Sequence, residues 1–162
     1  MKKELLDELN KQLNRELYSS YLYLSMAAYF ESINLKGFAH WLKVQVEEEK
    51  EHAMKFFDFI LERGEKVILE AIEAPKTDWE SPVEAFKDVY EHEKKITSYI
   101  HNIIELARQH KDYPTEVFLQ WFVSEQVEEE AQALEIYNKL QLAKNSPGAL
   151  FALDHQLGKR EK

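Results

Sequence analysis

Residues 64–84 read GEKVILEAIEAPKTDWESPVE. The stretch keeps little helical period, and Pro75 breaks what period there is. It closes on Ser81-Pro82-Val83-Glu84, a helix start with serine as cap, proline in the first turn and glutamate at the capping-box position. A connection of this length reaches from one end of a helix bundle to the other. The architecture is therefore decided by what flanks it.

On its N-terminal side, Leu6, Leu9, Leu13, Tyr23, Ala27 and Phe30 recur at intervals of threes and fours, which predicts one amphipathic helix over roughly 3–32. Asn34 and Gly37 interrupt that pattern. Phe38, Trp41, Leu42, Phe56, Phe59 and Ile60 then carry a second helix over roughly 36–64. On the C-terminal side, Phe86, Val89, Ile96, Ile100, Ile103 and Ala107 mark a third helix, roughly 82–110. Lys111-Asp112-Tyr113-Pro114 supplies a short break, and Phe118, Phe122, Ala133, Ile136 and Leu140 mark a fourth helix, roughly 113–143. Asn145-Ser146-Pro147-Gly148 ends it, before a short fifth helix over roughly 147–157 and a charged tail expected to fray. Short loop, long crossover, short loop is the signature of an all-α four-helix bundle with one crossover, here a single domain over 1–162.

Composition agrees with long helices, since 44% of the residues are apolar and only four glycines and four prolines punctuate 162 positions. The chain has no cysteine, which excludes disulfides, thiolate nucleophiles and cysteine-held zinc or iron-sulfur sites, so any metal must use oxygen and nitrogen. The first residues carry Lys2, Lys3, Glu4, Asp7 and Glu8 in place of an apolar signal region, and no stretch has membrane-spanning length. A cytoplasmic protein without membrane contact is the expectation. A net charge of −9 argues against nucleic acid and favours cations as partners.

Each of the four stripes holds something foreign to an apolar core. The first places Glu16 between Leu13 and Tyr23, and the third places Glu93 between Val89 and Ile96. The second contributes Glu49 and His52, and the fourth Gln126 and Glu129. Three residues apart means about 60° around a helix, so each such pair addresses one point in the bundle. A single inward glutamate is ordinarily ion-paired or half-exposed. Four in register, one per helix, require a shared partner, because an unpaired buried carboxylate costs several kcal/mol. Carboxylates with one imidazole suit a pair of divalent cations such as Fe(II) or Mn(II), and tolerate Zn(II).

Three segments on these helices look like those of the non-haem prokaryotic ferritins: Glu16-Leu17-Tyr18-Ser19-Ser20, Glu47-Glu48-Glu49-Lys50-Glu51-His52, and residues 118–126, FLQWFVSEQ. The similarity extends over essentially the whole chain. It implies an iron-storage protein that oxidises Fe(II) with dioxygen at a two-iron ferroxidase centre and keeps Fe(III) as a mineral within a hollow shell of 24 copies. Position by position, it implies Glu16, Glu49 and His52 as ligands of the first iron. Glu49 as bridge, Glu93 and Glu129 match the second, with Gln126 beside them and Tyr23 next to the site. A third, weaker iron site is implied at Glu48, Glu125, Glu128 and Glu129, whereas Glu130 reads as a solvated acidic residue. Haem-binding relatives carry methionine where Lys50 stands, so no haem is expected.

Helix four offers Gln126 and Glu129 where a symmetric di-iron motif has Glu-x-x-His, so the second iron should exchange more readily than the first. Two other readings compete. One is a di-iron oxidase or peroxidase of the rubrerythrin type, whose iron-thiolate module the absence of cysteine excludes, leaving a bare-bundle version. The other is a structural bundle whose inward carboxylates pair with lysine or arginine, against which the apolar stripes hold no basic residue. His40, His92, His101, His110 and His155 lie off the pattern and read as surface or boundary residues.

Overall fold

In the computed structural model, which describes residues 1–162, five helices follow in order: α1 (Lys3–Ser32), α2 (Lys36–Glu62), α3 (Pro82–Gln109), α4 (Tyr113–Leu142) and α5 (Pro147–Leu157). α2, α3 and α4 end one or two residues before the sequence expectation. At the first of these the reason is a left-handed residue: Gly64 (φ 72) turns the chain, and the N–H of Glu65 returns to the Ile60 carbonyl at 3.1 Å. The same closure ends α1 at Asn34 (φ 63) and α3 at Lys111 (φ 53). Side-chain caps start the later helices as their sequences require. Ser81 Oγ accepts from the Glu84 N–H at 3.2 Å, Asp112 Oδ1 from Thr115 at 3.1 Å and Ser146 Oγ from Ala149 at 3.2 Å.

The three-residue turn after α1 makes α1 and α2 an antiparallel hairpin, and the short turn after α3 does the same for α3 and α4. The crossover joins the hairpins by running along α1. Near its start, Asn10 Nδ2 donates to the Lys66 carbonyl (3.2 Å) and Asn10 Oδ1 accepts from the Ile68 N–H (2.7 Å). Further on, Ser25 Oγ donates to the Lys76 carbonyl at 2.7 Å. From Asn10 to Ser25 is about 22 Å of helix, a distance that ten residues of nearly extended chain cover easily. Trp79 is buried at the far end, with its indole N–H on Asp88 at 2.8 Å.

The interior is two cores. Tyr23, Met26, Phe30, Phe38, Trp41, Leu42, Phe86, Ile136 and Leu140 belong to one cluster, into which Leu153 and Leu157 of α5 also pack. Leu5, Leu9, Leu13, Phe56, Ile60, Ile96, Ile100, Leu119 and Phe122 belong to the other. Between them lies a layer of buried polar side chains from all four long helices. α5 and the residues after it are pinned to α2: Asp154 Oδ1 accepts from the Phe38 N–H at 2.9 Å, and Arg160 donates to the Trp41 carbonyl at 3.1 Å. The tail expected to fray is thus anchored as far as Arg160, whose guanidinium also lies over the Trp41 ring. No helix is long and apolar enough to cross a membrane.

Candidate metal centre

The polar layer consists of Glu16 from α1, Glu49 and His52 from α2, Glu93 from α3, and Gln126 and Glu129 from α4, none more than 4% exposed. Helical spacing puts each on the inward stripe, and the apolar clusters above and below close the layer from water. No lysine or arginine is among the buried residues. That removes the pairing on which a purely structural reading of the carboxylates depends.

Potential ligand atoms converge in three groups, the atoms of each lying within 4.8 Å of one another: Glu16, Glu49 and His52; Glu49, Glu93 and Glu129; and His52, Glu125 and Glu129. Glu49 belongs to the first two and so can join two ions. His52 Nδ1 lies 3.2 Å from Glu49 Oε2 and 3.8 Å from Glu16 Oε2. Its other ring nitrogen is 4.0 Å from Glu125. Glu16 Oε2 is fully buried and has no hydrogen-bond partner. An orphaned carboxylate oxygen, facing others across the layer, is the arrangement a divalent cation satisfies.

Burial, followed by repulsion from neighbouring carboxylates, pushes Glu93 and Glu129 well above the usual carboxylate range. Burial raises Glu49 also, although its hydrogen bond to His52 works against the rise. Burial alone would lower His52, but the facing carboxylates of Glu16 and Glu49, the latter accepting its N–H, outweigh it and hold the imidazole charged. The layer therefore keeps protons that the unfolded chain would have released. Stability contributed by these groups is fully present below the ordinary carboxylate value and is lost as pH rises through the raised ones. The melting temperature of metal-free protein is accordingly expected to fall between about pH 5 and pH 8, and added Zn(II) or Fe(II) should reverse the trend by replacing protons with ions. A melting series at both pH values, with and without metal, checks this, and a metal-free curve that rises with pH would contradict it.

Around the ligands lies a second set of contacts that the sequence did not reveal. Gln12 donates to Glu16 at 3.1 Å, and Gln45 donates to Glu49 at 2.9 Å and to Glu129 at 2.7 Å. Both glutamines precede their glutamate by four residues, a repeated spacing that could have marked them. Gln126 turns its amide N–H towards Glu93 Oε2 (3.1 Å) and Thr97 Oγ1 (3.2 Å). It stands as a hydrogen-bond donor that orients Glu93. The Tyr23 hydroxyl donates to Glu93 Oε1 at 2.5 Å, and burial, then the Glu93 charge, keeps its proton firmly attached. Trp121 meets the His52 ring edge-on, with centroids 5.4 Å apart. Of the residues expected to form a third site, Glu125 and Glu129 come together beside His52. Glu48, which also pairs with Arg160 at 3.1 Å, and the exposed Glu128 stand close enough that their charges add to burial in raising Glu125. Glu130, expected to be solvated, is half-buried and accepts from Thr97 Oγ1 at 2.6 Å.

The ferritin-like domain family matches residues 6–143, a span that includes every residue of the layer. This chain belongs to the ferritin family. A bacterial non-heme ferritin of Bacteroides fragilis is 41% identical over 157 residues, 97% of this chain and 98% of the relative. One from Staphylococcus aureus is 39% identical over 160 residues, 99% and 96% of the two chains. Among solved structures, an open pore ferritin from the hyperthermophilic archaeon Archaeoglobus fulgidus superposes with a TM-score of 0.98 at 53% identity, covering 99% of both chains. These relatives place the ferritin described here with the non-haem prokaryotic members. α5 lies beyond the residues that the family match covers, yet the agreement with the archaeal structure extends over it too.

Proposed function

We propose that this ferritin is a cytoplasmic iron-storage protein, which oxidises Fe(II) with dioxygen at the buried carboxylate layer and keeps the Fe(III) as mineral inside a hollow shell of 24 copies. The observation that carries the reading is the layer itself: four buried glutamates and one histidine, with no lysine or arginine among them. Glu16, Glu49 and His52 take one Fe(II), and Glu49, Glu93 and Glu129 take the second, with Glu49 shared. Each Fe(II) gives one electron, so two ions held side by side pass two electrons together to dioxygen. Gln126 and Tyr23 fix the two oxygens of Glu93, and Gln45 holds Glu49 and Glu129 at a set spacing. Protons leave the layer as the cations enter, because the buried carboxylates must ionise to bind.

The second set supplies only carboxylates, whereas the first includes an imidazole. The second ion is therefore held by fewer types of donor and is the one that moves on. Glu125, which reaches Glu129 and His52, offers it the next set of oxygens. Transit of this kind is what makes iron a substrate here and not a resident cofactor.

Anaerobic Fe(II) titration of the purified iron-free protein, followed by admission of air, tests the proposal. Saturation near two irons per subunit, rapid oxidation, and then uptake far beyond that ratio with growing particle mass are expected. Turnover without accumulation would replace storage with an oxidase activity, and failure to bind Fe(II) would end both readings.

A further inference from the structure

On the face of the bundle where the crossover passes between α1 and α3 there is a cavity of about 340 Å³. It is separate from the carboxylate layer, and the storage reading leaves it without a role. The rings of Tyr18 and Tyr99 line it together with Ile96. The Arg15 guanidinium lies over the Tyr99 ring, 3.7 Å from its centre, and pairs with Glu8 at 3.4 Å, while Lys95 lines the same space with no ion-pair partner. Glu73 is the one acidic residue on the lining, and with Arg15 already paired to Glu8 the cation free to meet a ligand there is Lys95. A partly aromatic cavity with an unpaired lysine on its lining fits a small planar aromatic anion, and its volume lies in the range of small-molecule sites. Phosphate alone would leave most of it unfilled.

His92 also lines the cavity. Ser19 Oγ spends its proton on the Arg15 carbonyl at 2.8 Å, so the 2.8 Å contact between Ser19 Oγ and His92 Nε2 is donated by the imidazole. That bond fixes the ring. Its edge meets Tyr23 at 89°, with centroids 5.8 Å apart, and the Tyr23 hydroxyl reaches Glu93 at 2.5 Å. Cavity, His92, Tyr23 and Glu93 thus form one contiguous path ending at the carboxylate layer.

We propose that this cavity binds a small anionic hydroquinone-class reductant, whose electrons pass by way of His92 and Tyr23 to ferric iron in the layer and return it to Fe(II). The proposal rests on the storage function above, for which it supplies a route of release. The hydroquinone is oxidised to its quinone, losing two electrons and two protons; two Fe(III) are reduced to two Fe(II), and the protons pass to water at the cavity mouth.

Anthraquinone-2-sulfonate serves as probe. Binding of its oxidised form to iron-free assembled protein is expected at one per subunit. Lys95→Glu should weaken it about tenfold or more, and Ala71→Trp, which fills the exposed mouth, should remove it. Binding needs no iron, so it tests the cavity even if the storage reading fails. In iron-loaded protein under anaerobic conditions, Fe(II) release driven by the reduced probe should saturate with probe concentration. It should slow at least fivefold in Ala71→Trp, while Fe(II) oxidation in air and release by dithionite stay at wild-type rates. Absence of binding to wild type, or equal binding in both variants, would overturn the site. Intact binding losses with unchanged release rates would overturn the electron route.

Discussion

Glu49→Ala is expected to slow the initial rate of Fe(II) oxidation on the order of a hundredfold or more while leaving helical content intact. The magnitude follows from position. Glu49 is the residue shared by the Glu16–His52 and Glu93–Glu129 groups, so its loss removes one ligand from each ion and the bridge between them. Loss of a residue from one group alone would leave the other complete. Alanine also leaves a void, so Glu49→Gln separates chemistry from packing. The amide keeps the volume and leaves Glu16 as the remaining carboxylate beside His52. Glu49→Gln should therefore keep its helical content and still oxidise iron slowly. Stopped-flow absorbance after mixing with air-saturated buffer reads the rate, and wild-type oxidation in either variant would sink the assignment of the layer.

Gly37→Ala is expected to cost about 2–3 kcal/mol and to lower the melting temperature by roughly 4–12 °C, with release of α5. A β-carbon at Gly37 would stand 1.7 Å from the Asp154 carbonyl oxygen, a backbone atom of α5. The clash cannot be relieved by a side-chain turn. Nor can α5 simply slide, because Asp154 holds the Phe38 N–H and Arg160 holds the Trp41 carbonyl. Proteolysis near Asn145 should accelerate in the variant, whereas Gly148→Ala, whose β-carbon would meet nothing within 4 Å, should behave as wild type. A melting temperature for Gly37→Ala within a degree of wild type would show that α5 adjusts freely.

The two expectations differ in how far the sequence announces them. Glu49 is legible because an inward stripe of period 3.6 exposes a misplaced carboxylate at once, and because His52 stands three residues on. The crossover is legible because Ser81-Pro82 marks where a helix must begin. Gly37 reads only as a pause in the pattern, since its partner is 117 positions away and no local rule links residues at that separation. Gln45 escaped for a related reason. Its i+4 contact with Glu49 can be inferred, but its 2.7 Å bond to Glu129 joins two helices. Arg160 reads as part of a loose charged end, yet in the structure it meets both Trp41 and Glu48. Local periodicity reports which face a residue occupies. What it meets there depends on how the helices are placed, and that is settled by packing among residues far apart in the chain.

Such placement gives the divided interior its meaning. A bundle whose polar layer had to hold the helices together would collapse or splay each time a cation left. Here two greasy blocks grip the four rods on either side of the gap, so the gap keeps its width whether it is full or empty. The carboxylates are held in mutual discomfort by a frame that does not depend on them, and an arriving ion is met by a mould already set. Traffic through the middle can then be brisk, since neither loading nor unloading asks the frame to move.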